Sequence, residues 1–122
     1  MAKDKITLAG MQFFGQHGVF PEEKLMGQKF IIDVELTLDL RKAGSTDDLA
    51  HTPNYADIYA RVKNITTQKT FNLIEALAEA IAQDILSSYP VEQIVVGVKK
   101  PHAAISGMFD YMGCEIVRRS KG

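Results

Sequence analysis

The sequence has one cysteine, almost no net charge and no long apolar run, and each of these absences excludes a class of protein. Cys114 has no second cysteine with which to form a disulfide within the chain. The 14 basic and 15 acidic side chains leave no basic excess for nucleic acid. No apolar run approaches the roughly 18 residues of a membrane-spanning helix, and the first residues lack the apolar core of a signal peptide. We therefore expect a soluble cytoplasmic protein, with neither nucleic acid nor a membrane as its partner.

The length and composition fit one globular domain over residues 1–122. A chain of this size hides about two-thirds of its unfolded surface when it folds, which is enough for one real core. Apolar residues make up 46% and charged residues 24% of the sequence, close to the average for globular domains. These values exclude a disordered tail and a small protein that depends on disulfides or metals for its stability.

Alternation of apolar and polar residues predicts two strands before the middle of the chain. The clearest is residues 28–40, in which every even-numbered residue from Phe30 to Leu40 is apolar. Residues 5–14 also alternate, but the phase changes at Gly10, which indicates a β-bulge. Two more strands are predicted near the end, one with Ile94, Val96 and Val98 inward, the other with Met112, Cys114 and Ile116 inward.

Two helices are predicted between the second and third strands, because apolar side chains recur there at steps of three and four. The two stripes are Tyr55, Ile58, Tyr59, Val62 and Ile65, and then Leu73, Ile74, Leu77, Ala78, Ile81 and Ile85. Thr52 or Asn54 is a possible N-cap of the first helix. Asn72, three residues before Glu75, is typical of a capped start for the second. Residues 15–26 and 43–48 are predicted as loops from their glycines and charges.

The order of elements is strand, strand, helix, helix, strand, strand. Each pair of strands can form an antiparallel hairpin, and the helices would cover one face of the sheet. This predicts an α+β fold of two layers, with a four-stranded antiparallel sheet. Its other face would be mostly polar, and its two open edges favour association of copies side by side.

Lys100 has the most unusual position of any charged residue. It continues the inward apolar row of the third strand, directly before Pro101. An ammonium at the rim of a core loses hydration, which favours its neutral form and makes it a candidate base. A lysine that extends into solvent from the end of a strand is the ordinary alternative.

Other candidate residues also have ordinary structural explanations. Glu75 fits a helix cap, Tyr55 a core residue with a solvated hydroxyl, and Glu23 a charged loop. The histidines are too far apart for a zinc site, so no metal is predicted. The glycines form neither a phosphate loop nor a dinucleotide-binding fingerprint.

Short motifs along the whole chain occur in a specific order and spacing. They are GMQFFGQHGV at 10–19 followed by Glu22-Glu23, GQKF at 27–30, KAG at 42–44 with TDD at 46–48, NY at 54–55, NLIE at 72–75 with LAE at 77–79, and VKKP at 98–101. Together these motifs resemble the dihydroneopterin aldolase family. The loop at 102–109 differs from the proline-rich turn and histidine-tyrosine pair often found there in that family.

The resemblance implies a fold, an assembly and an activity. The fold is the tunnelling fold, in which two helices cover one face of an antiparallel sheet. Subunits join into a ring of four, two rings commonly stack into an octamer, and active sites lie between neighbours. The implied enzyme is a carbon–carbon lyase that cleaves dihydroneopterin to hydroxymethyl-dihydropterin and glycolaldehyde in folate biosynthesis, usually with epimerisation to dihydromonapterin.

The resemblance also implies which residues bind the pterin ring. Glu75 matches the family's pterin anchor, since its carboxylate can accept two parallel hydrogen bonds from a ring N–H and an amino group. Backbone groups near Thr52, Leu73 and Ile74 match the remaining ring contacts.

The implied catalytic residues are Lys100, Glu23 and Tyr55. Lys100 matches the catalytic lysine, Glu23 the partner that holds the side-chain hydroxyls, and Tyr55 the proton donor to the intermediate. A dihydropterin already carries a ring imine beside its side chain, so the reaction is expected to need no cofactor, no metal and no Schiff base.

Two other functions remain compatible with the same fold. One is an epimerase acting on dihydroneopterin triphosphate, although the acidic pair at Glu22 and Glu23 argues weakly against a triphosphate. The other is a ring-forming binding protein that has lost the reaction. The presence of all four implied residues argues against it: Glu23, Tyr55, Glu75 and Lys100.

Overall fold

The computed structural model describes residues 3–121 and contains one four-stranded antiparallel sheet. Its strands, in spatial order, are β1 (Asp4–Gly15), β2 (Gln28–Leu38), β3 (Gln93–Lys100) and β4 (Met112–Arg119). The helices are α1 (Pro21–Met26), α2 (Arg41–Thr46), α3 (Tyr55–Gln68) and α4 (Ile74–Ser88), and Leu49–His51 forms a 3₁₀ turn. The predicted α+β fold with a four-stranded antiparallel sheet is confirmed.

The core lies between one face of the sheet and the long helices α3 and α4. Phe30, Ile32, Val34, Leu36 and Leu38 of β2 are all buried, as the alternation predicted. They pack in one cluster with most of the two predicted helical stripes, and Cys114 is half-buried against it. Three members of the predicted stripes are instead exposed, because they lie at the margin of the core: Tyr55, Tyr59 and Leu73. Across residues 3–121 no helix has the length and apolar character needed to cross a membrane.

The bulge predicted at Gly10 is present in β1. The register between β1 and β2 shifts between Leu8 and Met11, and Gly10 has a φ of 68°. Its N–H donates to Asp33 Oδ1 at 2.7 Å, so the amide released from the ladder is satisfied. The shift allows both Leu8 and Met11 to face the core, although they differ in parity.

Two segments predicted as loops contain short helices, and β2 is shorter than expected. Helix α1 begins with Pro21 at its first position and has acidic residues in its first turn, both of which favour a helix start. Helix α2 begins at Arg41, before the predicted loop. Strand β2 ends at Leu38 because the Asp39 carboxylate accepts the Arg41 N–H at 2.9 Å, which turns the chain away from the sheet.

The prediction that Asn72 caps α4 is wrong, whereas Asn54 does cap α3. The Asn54 side chain accepts a backbone N–H of the first turn of α3 at 2.9 Å. The N-cap of α4 is Leu73, which has no side-chain cap bond. The Asn72 side chain instead accepts a hydrogen bond from the Lys24 ammonium. Glu75 is therefore at the second position of α4, without the predicted capping partner.

The two asparagines form a matched pair for a stability test. Asn54→Ala should lower the free energy of unfolding by about 1 kcal/mol, because it removes a helix cap. Asn72→Ala should lower it by less than about 0.5 kcal/mol, because the side chain bonds an exposed lysine instead of the helix. Urea titrations at one fixed protein concentration would measure both, and equal losses would contradict this assignment of the caps.

Candidate active site

A buried ion pair between Glu23 and Lys100 joins α1 to the end of β3. The Lys100 Nζ lies 2.6 Å from Glu23 Oε2, and the two side chains are only 14% and 7% exposed. Gln28 Nε2 donates to the same oxygen at 3.0 Å, and the Phe20 N–H donates to Oε1 at 3.3 Å. Burial alone would raise the pKa of Glu23, but these hydrogen bonds outweigh it and hold the pKa below its ordinary value. The carboxylate is therefore ionised at neutral pH.

A glycine makes room for this carboxylate. Gly18 has a φ of 155°, and a Cβ added there would lie 2.4 Å from the Glu23 carboxyl group. Any other residue at position 18 would overlap Glu23 unless one of the two moved.

His17 is buried beside this pair and was missed as a site residue. Its ring is 0% exposed, accepts the Phe71 N–H on Nδ1 at 3.0 Å and lies 2.7 Å from Thr66 O through Nε2. Burial lowers the pKa of His17; the Thr66 carbonyl acts in the opposite direction, and the charge of Lys100 lowers it further. A signal was present in the sequence, since His17 continues the inward row of Met11 and Phe13 beyond the end of β1.

The start of α4 lies next to the ion pair and forms a cleft with it. The cleft measures about 230 Å³. Five of the predicted site residues line it: Glu23, Leu73, Ile74, Glu75 and Lys100. Glu75 is exposed on the first turn of α4. The pKa of the Cys114 thiol on β4 is raised, first by burial of the thiol and second by the charge of Glu75.

The loop between β3 and β4 forms another wall of the cleft. Ala103, Ala104 and Ile105 line it opposite the start of α4. These residues belong to the 102–109 loop that the resemblance marked as different, and they lie at the cleft. No group of three or more His, Cys, Asp or Glu side chains within residues 3–121 is arranged to hold a metal ion.

Tyr55 and Thr52 lie away from this cleft. Tyr55 is 69% exposed at the start of α3, where it lines a groove of about 770 Å³ along β1. About 16 Å of helix separates Tyr55 from Thr66, which is the part of α3 that touches His17. Thr52 lines a different groove, of about 790 Å³, beside Asn54. One chain therefore does not bring Tyr55 and Thr52 to Lys100.

The match to a family model decides the class of protein. The model described as dihydroneopterin aldolase matches residues 6–117. The chain belongs to the dihydroneopterin aldolase family. The dihydroneopterin aldolase of Bacillus subtilis is 45% identical over 117 residues, which cover 95% of this chain and 98% of that one. The dihydroneopterin aldolase of Methylorubrum extorquens is 47% identical over 116 residues, covering 94% of this chain and 89% of that one.

A solved structure agrees with this assignment. The dihydroneopterin aldolase of E. coli, crystallised in complex with neopterin, superposes with a TM-score of 0.88 at 28% identity. The alignment covers 95% of this chain and 99% of that one. The family and the tunnelling fold predicted from the sequence motifs are therefore confirmed.

A substitution at Gly18 tests whether the backbone there controls the position of Glu23. Gly18→Ala should lower the free energy of unfolding by about 1–3 kcal/mol, because the added methyl overlaps the Glu23 carboxyl group. Gly107→Ala is the control, since Gly107 has a similar φ of 146° and a Cβ there would meet nothing within 4 Å. Thermal unfolding compares them, and a Gly18→Ala variant as stable as the Gly107→Ala variant would refute the close approach.

Proposed function

We propose that this chain cleaves dihydroneopterin by a retro-aldol reaction at sites shared between neighbouring subunits. The products are hydroxymethyl-dihydropterin and glycolaldehyde, with epimerisation to dihydromonapterin as a second reaction. Membership of the family confirms the predicted function in folate biosynthesis. The observation that carries the mechanism is the buried Lys100–Glu23 pair beside the exposed carboxylate of Glu75.

Glu75 and the start of α4 would hold the pterin ring. The exposed Glu75 carboxylate can accept the ring N–H and the amino group of a pterin in a two-pronged, charge-assisted pair. The first hydrogen bond within α4 comes from Ala76 N–H to Leu73 O, so the N–H groups of Leu73 and Ile74 precede the helical ladder and can face a ligand. The neopterin bound by the E. coli relative supports a pterin as the ligand class.

The Lys100–Glu23 pair would act on the hydroxylated side chain of the substrate. It supplies a nitrogen base and a carboxylate side by side, both shielded from water. In the resting ion pair Lys100 is an ammonium, so it must first lose its proton to solvent. We assign to the resulting neutral amine the removal of the side-chain hydroxyl proton, and to Glu23 the orientation of the hydroxyl groups. A base placed in this way typically accelerates a reaction by about 10² to 10⁴.

The substrate itself would take up the electrons released by bond cleavage. When the hydroxyl loses its proton, a carbonyl forms, the carbon–carbon bond breaks, and its electron pair enters the ring imine to give an enamine. Protonation of the side-chain carbon attached to the ring by the Tyr55 hydroxyl yields the hydroxymethyl product. The proton taken up by Lys100 then returns to the tyrosinate, which restores both groups. This route requires no Schiff base on Lys100 and no metal as the electron sink.

The separation of Tyr55 from Lys100 supports a shared site. A small-molecule site usually occupies about 300–1,000 Å³, and the cleft within one chain, at about 230 Å³, is smaller. Tyr55 and Thr52 would be contributed by a neighbour to complete the site. The open edges at β1 and β4 fit a ring of four subunits, which we expect to stack into a cytoplasmic octamer.

Two variants separate ring binding from chemistry. Glu75→Ala should abolish measurable binding of neopterin, because the double hydrogen bond is lost. Lys100→Ala should bind neopterin within about threefold of the wild type but turn over dihydroneopterin about 10² to 10⁴ times more slowly. Calorimetric titration and product chromatography measure the two effects. A Glu75→Ala variant with normal neopterin affinity would refute the anchor.

Mixed oligomers test whether the site is shared. Lys100→Ala and Tyr55→Phe chains should each form little hydroxymethyl-dihydropterin alone. When the two are co-expressed in equal amounts, about a quarter of the sites should combine an intact lysine with an intact tyrosine from the neighbour. Product formation near a quarter of the wild-type rate is the expected result. A rate equal to the average of the two single variants would place both residues of one chain in the same site.

A further inference from the structure

The ring of His17 forms hydrogen bonds to two backbone groups, the N–H of Phe71 and the carbonyl of Thr66. A backbone N–H can only donate, so the Nδ1 that receives the Phe71 N–H must carry no proton. Nε2 then carries the proton and donates it to Thr66 O, a carbonyl in the last turn of α3. The neutral form with the proton on Nε2 is the one form of the ring that satisfies both contacts.

The backbone of Phe71 is held at both its N–H and its carbonyl group. Its N–H bonds to His17, and its carbonyl accepts the Gly18 N–H at 3.0 Å. The Phe71 ring also stacks on the imidazole, with centroids 5.6 Å apart and planes 26° from parallel. Gly15 allows this packing, because a Cβ there would lie 2.9 Å from the imidazole. The link between α3 and α4 is therefore fixed at one point by the end of β1.

Phe71 connects the start of α4, which carries Glu75, with the segment that positions the Glu23–Lys100 pair. Leu73 follows two residues after Phe71 and is the N-cap of the helix that carries Glu75. On the other side, Gly18 touches the Glu23 carboxyl group closely enough to exclude any Cβ. A displacement of Phe71 would move the start of α4 relative to the Glu23–Lys100 pair.

We propose that His17 is a positioning residue that aligns residues 73–75 for the pterin through its hydrogen bond to Phe71. The proposal rests on the proposed role of Glu75 as the anchor. His17 itself is fully buried and does not line the cleft, so its effect must be transmitted by the Phe71 peptide.

Two amide substitutions divide the functions of the ring. His17→Asn places an oxygen at the same number of bonds from Cβ as Nδ1, so it can still accept the Phe71 N–H but cannot reach Thr66. His17→Gln places an N–H donor at the same number of bonds as Nε2, so it can still reach Thr66. With the N–H there, the glutamine oxygen points away from the position of Nδ1, so the Phe71 N–H loses its acceptor. Both variants lose one hydrogen bond, and only His17→Gln loses the contact that the proposal requires.

The expected result is a selective loss of pterin binding in His17→Gln. Its Kd for neopterin should rise about five- to thirtyfold, with a matching rise in KM for dihydroneopterin and a fall in kcat of less than about threefold. His17→Asn should keep the neopterin Kd within about twofold of the wild type. Wild-type affinity in His17→Gln, or equal losses in both variants, would overturn the proposal, because a purely structural role does not distinguish them.

A measurement on the wild-type protein covers the case in which His17→Gln does not fold. If the Phe71 contact and pterin binding are coupled, neopterin should slow hydrogen exchange of the Phe71 amide, by up to about a hundredfold at a concentration of 100 Kd. An unchanged exchange rate would overturn the proposal. Glu75→Ala serves as the reference. If that variant binds neopterin normally, the assignment of Glu75 as the anchor has failed. If it loses binding while His17→Gln does not, only the role of His17 is refuted.

Discussion

The structure around the site depends on keeping one ion pair out of water. Removing two charges from water costs several kcal/mol per ion, and the pair is tolerated only where further hydrogen bonds satisfy it. The Glu23 carboxylate meets this condition through Lys100, Gln28 and the Phe20 N–H. Helix α1 has to begin where it does to provide the last of these bonds, and position 18 has to lack a side chain. The requirements of one carboxylate thus fix the path of the chain from β1 to β2.

The strands and long helices could be predicted from the sequence because burial and periodicity coincide in them. Strand β2 alternates with a period of two, and its inward residues are all buried. The change of phase at Gly10 revealed the bulge for the same reason. Helix α1, with six residues, is too short for a periodic stripe, so only Pro21 and the acidic residues after it favoured a helix there. The cap at Asn72 was predicted wrongly because residue type does not show that Lys24 occupies its side chain.

Apart from Lys100, which the inward row of β3 singled out, the candidate site could be predicted only as a set of residues in motifs. Glu23 and Lys100 are 77 positions apart, and nothing local in either segment indicates that they meet. His17 was passed over because a single histidine has no ligand spacing, and its value comes from two contacts with distant backbone groups. The motifs likewise gave no indication that Tyr55 lies at the opposite end of α3 from this cleft. Distances of this kind are properties of the tertiary structure.

The small size of α1 has a consequence for how activity develops during folding. A helix of six residues is far below the length that is stable alone in water. We therefore expect Glu23 to reach Lys100 only after β1, β2 and β3 have assembled. The contact spans most of the chain, and the entropy of closing so long a loop must be overcome first. Partly folded chains with a native-like core would lack the Glu23–Lys100 pair. The chemistry proposed for this pair would therefore appear only with the completed fold.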